Sequence, residues 1–321
     1  MNDRTRQLIR DALPVVALLA ILGVIAIADP NFIRVENLLT VTADTMTLFL
    51  MASGATLVIM LGSIDLSIQA VASMASCIVA VMLPELGYAA IPLALLAGVV
   101  AGVVSGISVN RLRIPSFIAT LAVSGIATTV AYAASRSSAP IARATSDAYL
   151  WWVAGESTPI PGWPAVENEI FVGVVALVLL SLVLTLTRYG RLVRAVGSQE
   201  RAVIASGVNV DGVKLVTFMI SGLMAAVAGL VMAARLGSGS PTLANEFLLP
   251  AIAAIVVGGT ALTGGVGAIW KTFIGALIIA VVRIGMTFLG VTVLAQQIVF
   301  GVILVVAVAV TIDRSKVAVV K

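Results

Sequence analysis

The residues best able to do chemistry in this chain are a few polar side chains set within apolar sequence. The densest group is Ser63, Asp65, Ser67 and Gln69, in the segment LGSIDLSIQAV at 61–71. Carboxylate, hydroxyl and amide groups so close together can hydrogen-bond a ligand rich in hydroxyl groups, and a charge at membrane depth is costly without a function or a partner. The segment predicts either a substrate pathway at a broken or re-entrant helix, or a capped helix break at the membrane surface.

Arg283, in the apolar stretch LIIAVVRIGMTF, is the second ionisable group expected within a span. It can line a pathway or pair with an acid such as Asp65 or Asp44, or it can extend its guanidinium towards the interface. Ser124, in the predicted fifth span, is a further pathway candidate. A hydroxyl there can equally satisfy a backbone carbonyl of its own helix.

Composition excludes most other classes of protein. The 321 residues are 60% hydrophobic and only 11% charged, which is too little polar surface for a soluble globule. With no His and a single cysteine, Cys77, the chain lacks the usual metal-ligand sets and any nucleophile paired with a base. We therefore predict an integral membrane protein with no metal, no cofactor of its own and no enzymatic activity.

Hydrophobic runs predict an all-α, polytopic helical bundle that forms one domain over residues 1–321. Crossing about 30 Å of hydrocarbon takes roughly 17 to 25 apolar residues. About ten candidate spans fit, near 14–28, 41–62, 66–83, 89–109, 115–134, 170–187, 213–234, 250–267, 272–289 and 294–312.

The distribution of basic residues predicts the orientation of these spans. If the N-terminus is inside, fourteen of the nineteen Lys and Arg residues fall on the cytoplasmic side and four on the outer side, with Arg283 in a span. The positive-inside rule then places both termini in the cytoplasm. Because the basic residues lie between apolar runs, we interpret the net charge of +4 as orienting the spans and exclude nucleic acid as a partner.

One predicted loop and one predicted helix have a distinctive composition. The largest external loop is predicted at about 135–169, with Trp151, Trp152 and Trp163 at the headgroup level. In LLAGVVAGVVSGISVN, the glycines at 98, 102 and 106 share one helix face and favour close packing, either within the bundle or against a second copy of the chain.

The longest internal cytoplasmic loop is predicted at about 188–213, in the segment RYGRLVRAVGSQERAVIASGVNVDGVK. Its middle predicts a short helix with Ser198 as the N-cap and Gly207 as the C-terminal stop. Such a helix can lie on lipid or fit a groove in a partner protein.

These segments resemble the permease subunits of ATP-binding-cassette sugar importers of the ribose and xylose type. The resemblance covers nearly the whole chain from about residue 41, through LGSIDLSIQAV, RLRIPSFIATLAV at 111–123 and AIAAIVVGGTALTGGVGAIWKT at 251–272. It implies that the cytoplasmic helix couples the permease to an ATPase. The matching residues are Gly197, Glu200, Ala202, Ser206, Gly207, Val208 and Asn209.

The same resemblance implies the partners and the location. They are an ATPase subunit that binds ATP and Mg²⁺, a periplasmic or lipid-anchored sugar-binding protein, and a second permease copy, identical or paralogous, in the bacterial inner membrane. The implied cargo is a monosaccharide or polyol. Val203, Ile204 and Pro250 depart from the family pattern. A branched-chain amino acid, nucleoside or signalling molecule as cargo remains an alternative, as does, less favourably, an ion-coupled secondary transporter.

Overall fold

The computed structural model describes residues 3–28, 30–158, 162, 164–288 and 290–311, and these residues are mainly helical. The α-helices are α1 Asp3–Ala28, α2 Val35–Met60, α3 Ile68–Leu86, α4 Ala90–Asn110, α5 Ser116–Ser135, α6 Arg143–Tyr149, α7 Trp151–Ala154, α8 Asn168–Leu186, α9 Arg188–Ala205, α10 Val210–Leu236, α11 Leu248–Val257, α12 Ile269–Phe288 and α13 Val293–Thr311. Four two-residue strands pair antiparallel as β1 Ala139–Pro140 with β4 Ser238–Gly239, and β2 Glu156–Ser157 with β3 Val166–Glu167.

Within this part of the chain, six apolar helical segments are long enough to cross a membrane: 35–60, 68–110, 116–135, 168–186, 210–236 and 269–287. The second of them contains both α3 and α4, joined by a 3-10 turn. The membrane-protein class is thereby supported, whereas the count of ten spans stays a prediction. The cytoplasmic placement of the termini also stays a prediction, and residues 1–2 and 312–321 lie outside the described residues.

The prediction of one continuous helix over 250–267 is wrong, because the helix there is α11, which ends at Val257 after 10 residues. At 1.5 Å per residue this helix is about 15 Å long, half of the hydrocarbon thickness. Gly258 and Gly259 follow it, with a positive φ at Gly259, and regular helix resumes only at Ile269. The glycine-rich stretch at 258–268, whose apolar composition predicted a helix, is therefore a loop.

Helix α2 occupies the centre of the bundle. Nearly every residue from Val41 to Met60 is buried, although the helix carries several hydroxyl groups. These hydroxyls are satisfied locally, as where Thr56 Oγ1 lies 2.7 Å from the Ala52 carbonyl oxygen. Thr56 Oγ1 also lies 2.8 Å from Thr272 Oγ1, a buried hydrogen bond that joins α2 to α12.

The glycines of α4 pack within the bundle, against α10. A Cβ atom added to Gly98 would overlap the Gly222 carbonyl oxygen, and one added to Gly102 would overlap that of Phe218. Gly222 in turn approaches the Gly98 carbonyl, so small residues on both helices bring the two backbones together. The prediction of packing inside the bundle is confirmed, and the glycines at 98 and 102 are not free to contact a second copy.

The segment predicted as the largest external loop is partly structured. It contains α6, α7 and strands β1 to β3, and β1 pairs with β4 beyond the end of α10. Trp151 is exposed, as expected for the headgroup level, whereas Trp152 is half-buried and donates from Nε1 to the Tyr149 carbonyl oxygen at 3.0 Å. Trp163 lies outside the described residues.

The close approach of α4 and α10 gives a test of the packing. We expect Gly102→Leu to lose at least about 1–3 kcal/mol of stability, because the added side chain must push two backbones apart. Thermal unfolding of the purified chain in detergent measures the loss. Gly125→Leu is the matched control, since Gly125 on α5 has no atom within 4 Å of an added Cβ. Equal melting temperatures for the two variants would contradict the crossing.

Candidate substrate cleft and coupling surface

An open cleft of ≈ 640 Å³ lies between α2, α10, α12 and the 3-10 turn Asn245–Phe247, at the end of the bundle predicted to face outward. Its size is within the range of small-molecule sites. Four charged side chains line it, together with hydroxyl and apolar groups. The lining residues are Asp44, Thr47, Leu48, Met232, Arg235, Leu236, Leu243, Glu246, Phe247, Ala280, Arg283, Ile284 and Thr287.

One wall of this outer cleft is fixed by an ion cluster that joins three helices. Arg235, in the last turn of α10, donates from Nη2 to Asp44 Oδ1 on α2. Its Nη1 lies 2.9 Å from Glu169 Oε1 at the start of α8. The Glu169 side chain is only 3% exposed, and this ion pair is its main electrostatic stabilisation. The guanidinium of Arg235 is therefore held on both sides.

Arg283, on α12, also lines the cleft and forms no ion pair in the described part of the chain. The predicted pairing with Asp65 or Asp44 is absent there, although Asp44 lines the same cleft. Instead, the Arg283 guanidinium carbon lies 4.9 Å from the centre of the Phe247 ring, a cation–π contact. The guanidinium thus keeps its hydrogen-bond donors available to the cleft.

Asp65 lies outside the cleft, at the break between α2 and α3, and both oxygens of its carboxylate accept hydrogen bonds. Asp65 Oδ1 accepts hydrogen bonds from the Ser67 backbone N–H at 2.9 Å and from Ser67 Oγ at 2.6 Å. Asp65 Oδ2 accepts one from Ser221 Oγ of α10 at 2.7 Å. At 4% exposure, Asp65 holds the start of α3 against α10. The sequence allowed two interpretations of this segment, a substrate pathway or a capped helix break. The geometry supports the capped helix break.

Backbone groups in this break are satisfied by α5. The Ile64 N–H donates to Ser116 Oγ and the Leu66 N–H to Thr120 Oγ1, both at 3.0 Å. The remaining pathway candidates, Gln69 on α3 and Ser124 on α5, are half-buried. Of the five predicted pathway residues, only Arg283 lines the outer cleft, and the structure does not bring it together with the other four.

The predicted cytoplasmic helix is present within a longer element. Helix α9 runs from Arg188 to Ala205 and is interrupted at Gln199, where φ is −156° and ψ is 71°. The sequence analysis missed the first part of this helix, before the interruption. Gly207 does terminate it, with a φ of +80°, as predicted. Ser198 is not the N-cap, because its hydroxyl donates to the Arg194 carbonyl oxygen at 2.9 Å, and Thr187 caps α9 instead.

Gly197 packs directly against the end of α2 and against the glycine-rich loop that follows α11. A Cβ atom there would overlap the Met60 carbonyl oxygen, at the end of α2, and would lie 2.5 Å from the Gly265 nitrogen. The Gly265 N–H donates to that same Met60 carbonyl at 2.8 Å. Gly264 and Gly265 both have positive φ, which glycine adopts without strain. Helix α9, the end of α2 and the 258–268 loop therefore meet with no side chain between them.

The other predicted coupling residues lie beyond the interruption. Glu200 Oε1 accepts from Lys214 Nζ at 2.6 Å, and Asn209 Oδ1 accepts from the Gly212 N–H at 3.0 Å as the N-cap of α10. Ala202, Ser206 and Gly207 are exposed. A second cleft, of ≈ 570 Å³, contains Glu200, Asn209 and Lys214 among its lining residues. The exposed tip of α9 is thus fastened to α10 and free on its outer side.

The first turn of α9 is also anchored to α10. Tyr189 Oη lies 2.8 Å from Thr217 Oγ1. Burial raises the pKa of Tyr189 to about 12, although the hydrogen bond to Thr217 opposes the shift. The phenol is therefore neutral at physiological pH, and the contact between α9 and α10 does not titrate there.

Sequence reasoning missed most of the outer cleft. The sequence suggested Asp44 only as a partner for Arg283. It predicted no place in a site for Arg235, Glu169 or Glu246. These residues are far apart in the sequence, and three of them flank predicted spans, where charges are ordinary. Only the fold brings them to one end of the bundle.

Comparisons with known proteins agree with the geometry. Residues 37–308 match the family described as "Branched-chain amino acid transport system / permease component". The chain is 34% identical to the ribose import permease protein RbsC of Escherichia coli K12 over 308 residues, which cover 95% of each chain. It is also 34% identical to RbsC of Bacillus subtilis 168, over 94% of this chain and 92% of that protein.

A shorter match is closer in sequence. The chain is 47% identical to the xylose transport system permease protein XylH of Escherichia coli K12 over 124 residues, covering 39% of this chain and 32% of that protein. No solved structure matches. The predicted resemblance is confirmed, and the chain is a multi-pass protein of the bacterial inner membrane. Because the family model and the ribose permeases match nearly the whole chain, the chain belongs to the permease family described as "Branched-chain amino acid transport system / permease component".

Proposed function

We propose that this chain is the translocation subunit of an ATP-binding-cassette importer for a monosaccharide or polyol. The chain itself carries no catalytic group in this proposal. A separate ATPase, with its ATP and Mg²⁺, binds the cytoplasmic face and drives transport. A binding protein delivers the cargo to the outer face, and two permease copies, identical or paralogous, form the passage.

The cargo class rests on the relatives. The family description mentions branched-chain amino acids, but ribose import permeases are among the matches that cover nearly the whole chain. A match of 34% identity over 95% of both chains supports a shared cargo class better than a broad family description does. An amino acid cargo is therefore the second candidate, and the family description is the observation that favours it.

The observation that carries the coupling mechanism is the contact of Gly197 with Met60 and Gly265. Packed interiors transmit displacement because no void absorbs it. A movement of α9 must therefore move the end of α2 and the 258–268 loop. Binding of ATP to a partner docked on α9 would shift the permease between inward-open and outward-open states by its different affinity for the two.

The exposed tip of α9 supports the proposed docking surface. Ala202, Ile204, Ala205 and Gly207 are all exposed there, and Ile204 is 54% exposed. The tip is held by the Glu200–Lys214 ion pair and by Val203, which is half-buried and packs against the hydrophobic core. A small apolar protrusion on a fixed base fits a groove in a partner protein. The departure at Ile204 lies on this exposed tip, so the partner's groove is expected to match it, whereas Val203 packs inward.

The experiment that tests the function is uptake into proteoliposomes. The chain is reconstituted with and without its ATPase and binding protein. ATP-dependent uptake of labelled pentoses, hexoses, polyols and branched-chain amino acids is then followed. We expect uptake of one sugar or polyol by the complete system only. Uptake of an amino acid would establish the second candidate, and uptake by the chain alone under an ion gradient would overturn the importer assignment.

A substitution at the tip of α9 tests the docking surface. We expect Ala202→Arg to lower ATP-driven uptake at least about tenfold, because a long charged side chain cannot enter an apolar groove. Co-purification of the ATPase should fall in parallel, while membrane insertion and melting temperature stay unchanged, since Ala202 is exposed. Ala202→Ser, at the same position, is the control and should retain uptake. Normal uptake by Ala202→Arg would show that the ATPase docks elsewhere.

A further inference from the structure

The outer cleft contains charged groups that the fold itself does not use. In the described part of the chain, the side chains of Arg283 and Glu246 form no hydrogen bond or ion pair, whereas Asp44 and Arg235 bind each other. An arginine set into an apolar helix is normally paired or faces water. Arg283 is half-buried and faces this cleft, so its donors are directed at whatever enters.

The charges lining the cleft balance. Arg235 and Arg283 contribute two positive charges, and Asp44 and Glu246 contribute two negative charges. Glu169, which binds Arg235 from behind the wall, adds a further acid, so these charges have no positive excess and do not favour an anion such as a sugar phosphate. The cleft provides both donors and acceptors, as a hydroxyl group requires, because a hydroxyl donates and accepts at the same time.

The polar groups are also distributed around the cleft. The Asp44–Arg235 pair and Thr47 come from α2 and α10, while Arg283 and Thr287 come from α12. The Glu169 carboxylate holds Arg235 from behind, so this wall is fixed before a ligand arrives. A ring with hydroxyl groups on all sides can use every wall, whereas a zwitterionic amino acid would need only Arg283 and Glu246.

We propose that the outer cleft is a binding site for a neutral polyhydroxylated ligand, a monosaccharide or polyol in transit, with Arg283 and Glu246 as its direct hydrogen-bonding residues. The ligand class rests on the proposed function, while the site rests on the geometry. Asp44 and Arg235 form the fixed wall, which is the second side that a ring with several hydroxyl groups can contact. The site lies at the end of the bundle where a binding protein would release its cargo.

The test uses a cysteine placed in the cleft. The only native cysteine, Cys77, is buried, so the chain gives little background with a membrane-impermeant thiol reagent. Thr287→Cys places a thiol on the cleft wall in the full chain, reconstituted with its ATPase but without ATP. D-ribose, D-xylose, D-galactose, ribitol, ribose 5-phosphate and L-leucine are each added before the reagent. We expect a neutral sugar or ribitol to slow labelling, and ribose 5-phosphate and L-leucine not to.

Three variants define the site. Adding Arg283→Gln or Glu246→Gln to Thr287→Cys should raise the half-protecting concentration about tenfold, because one charge-assisted hydrogen bond to the ligand is lost. Neither side chain has a hydrogen-bond or ion-pair partner in the described fold, so we expect stability to change little, and the loss of the Arg283 contact with the Phe247 ring is checked by the melting temperature. Arg143→Gln is the matched control, since Arg143 is 95% exposed on α6. A second control, Ser138→Cys, should be labelled at the same rate with and without ligand.

The outcomes separate this site from the proposed function. ATP-dependent sugar uptake without any protection of Thr287→Cys would overturn the site and leave the importer standing. Sugar protection without ATP-dependent uptake would support the site and overturn the importer. Protection by L-leucine alone would overturn the ligand class, and protection unaffected by Arg283→Gln and Glu246→Gln would overturn their role.

Discussion

The structure depends on the requirement that backbone groups freed by a broken helix find partners away from water. Two breaks occur in the bundle, at residues 61–67 and 258–268, and each exposes N–H and carbonyl groups that lipid cannot satisfy. The breaks satisfy one another through the hydrogen bond from Gly265 to Met60. The break at 61–67 is further satisfied by Ser116 and Thr120 of α5, which accept hydrogen bonds from two of its backbone N–H groups. Ser221 of α10 binds the Asp65 side chain in the same break.

This requirement also explains why glycine is concentrated where α9, the end of α2 and the 258–268 loop meet. Three backbones must approach one another within hydrogen-bonding distance, which leaves no space for a Cβ atom on Gly197 or Gly264. Gly197, one of the residues that the family resemblance assigns to coupling, is thus a position where a side chain must be absent. A contact made of backbone transmits movement directly, since it contains no rotatable side chain to absorb it.

The sequence predicted the features that follow from composition and local pattern. The membrane class, most helix positions, the end of α9 at Gly207 and the packing of Gly98 and Gly102 all depend on nearby residues. The errors have the same origin. Apolar glycine-rich sequence after Val257 has the hydropathy of a span, although its backbone is not helical, and Ser198 has the type of an N-cap without its geometry. Hydropathy measures side chains, whereas both errors concern the backbone.

The outer cleft could not be predicted, because its residues come from four separate elements and no local pattern joins them. Helix α10 shows how the fold makes this connection. At about 1.5 Å per residue, its 27 residues extend about 40 Å. Along this length Lys214 pairs with Glu200 of the coupling helix, Ser221 holds Asp65 at the break, and Arg235 reaches Asp44 in the outer cleft. Because α10 carries all three contacts, we expect a displacement at the tip of α9 to be transmitted along α10 to the outer cleft. Lys214, Ser221 and Arg235 thus lie along one helix, and each contacts a polar residue that is distant from it in the sequence.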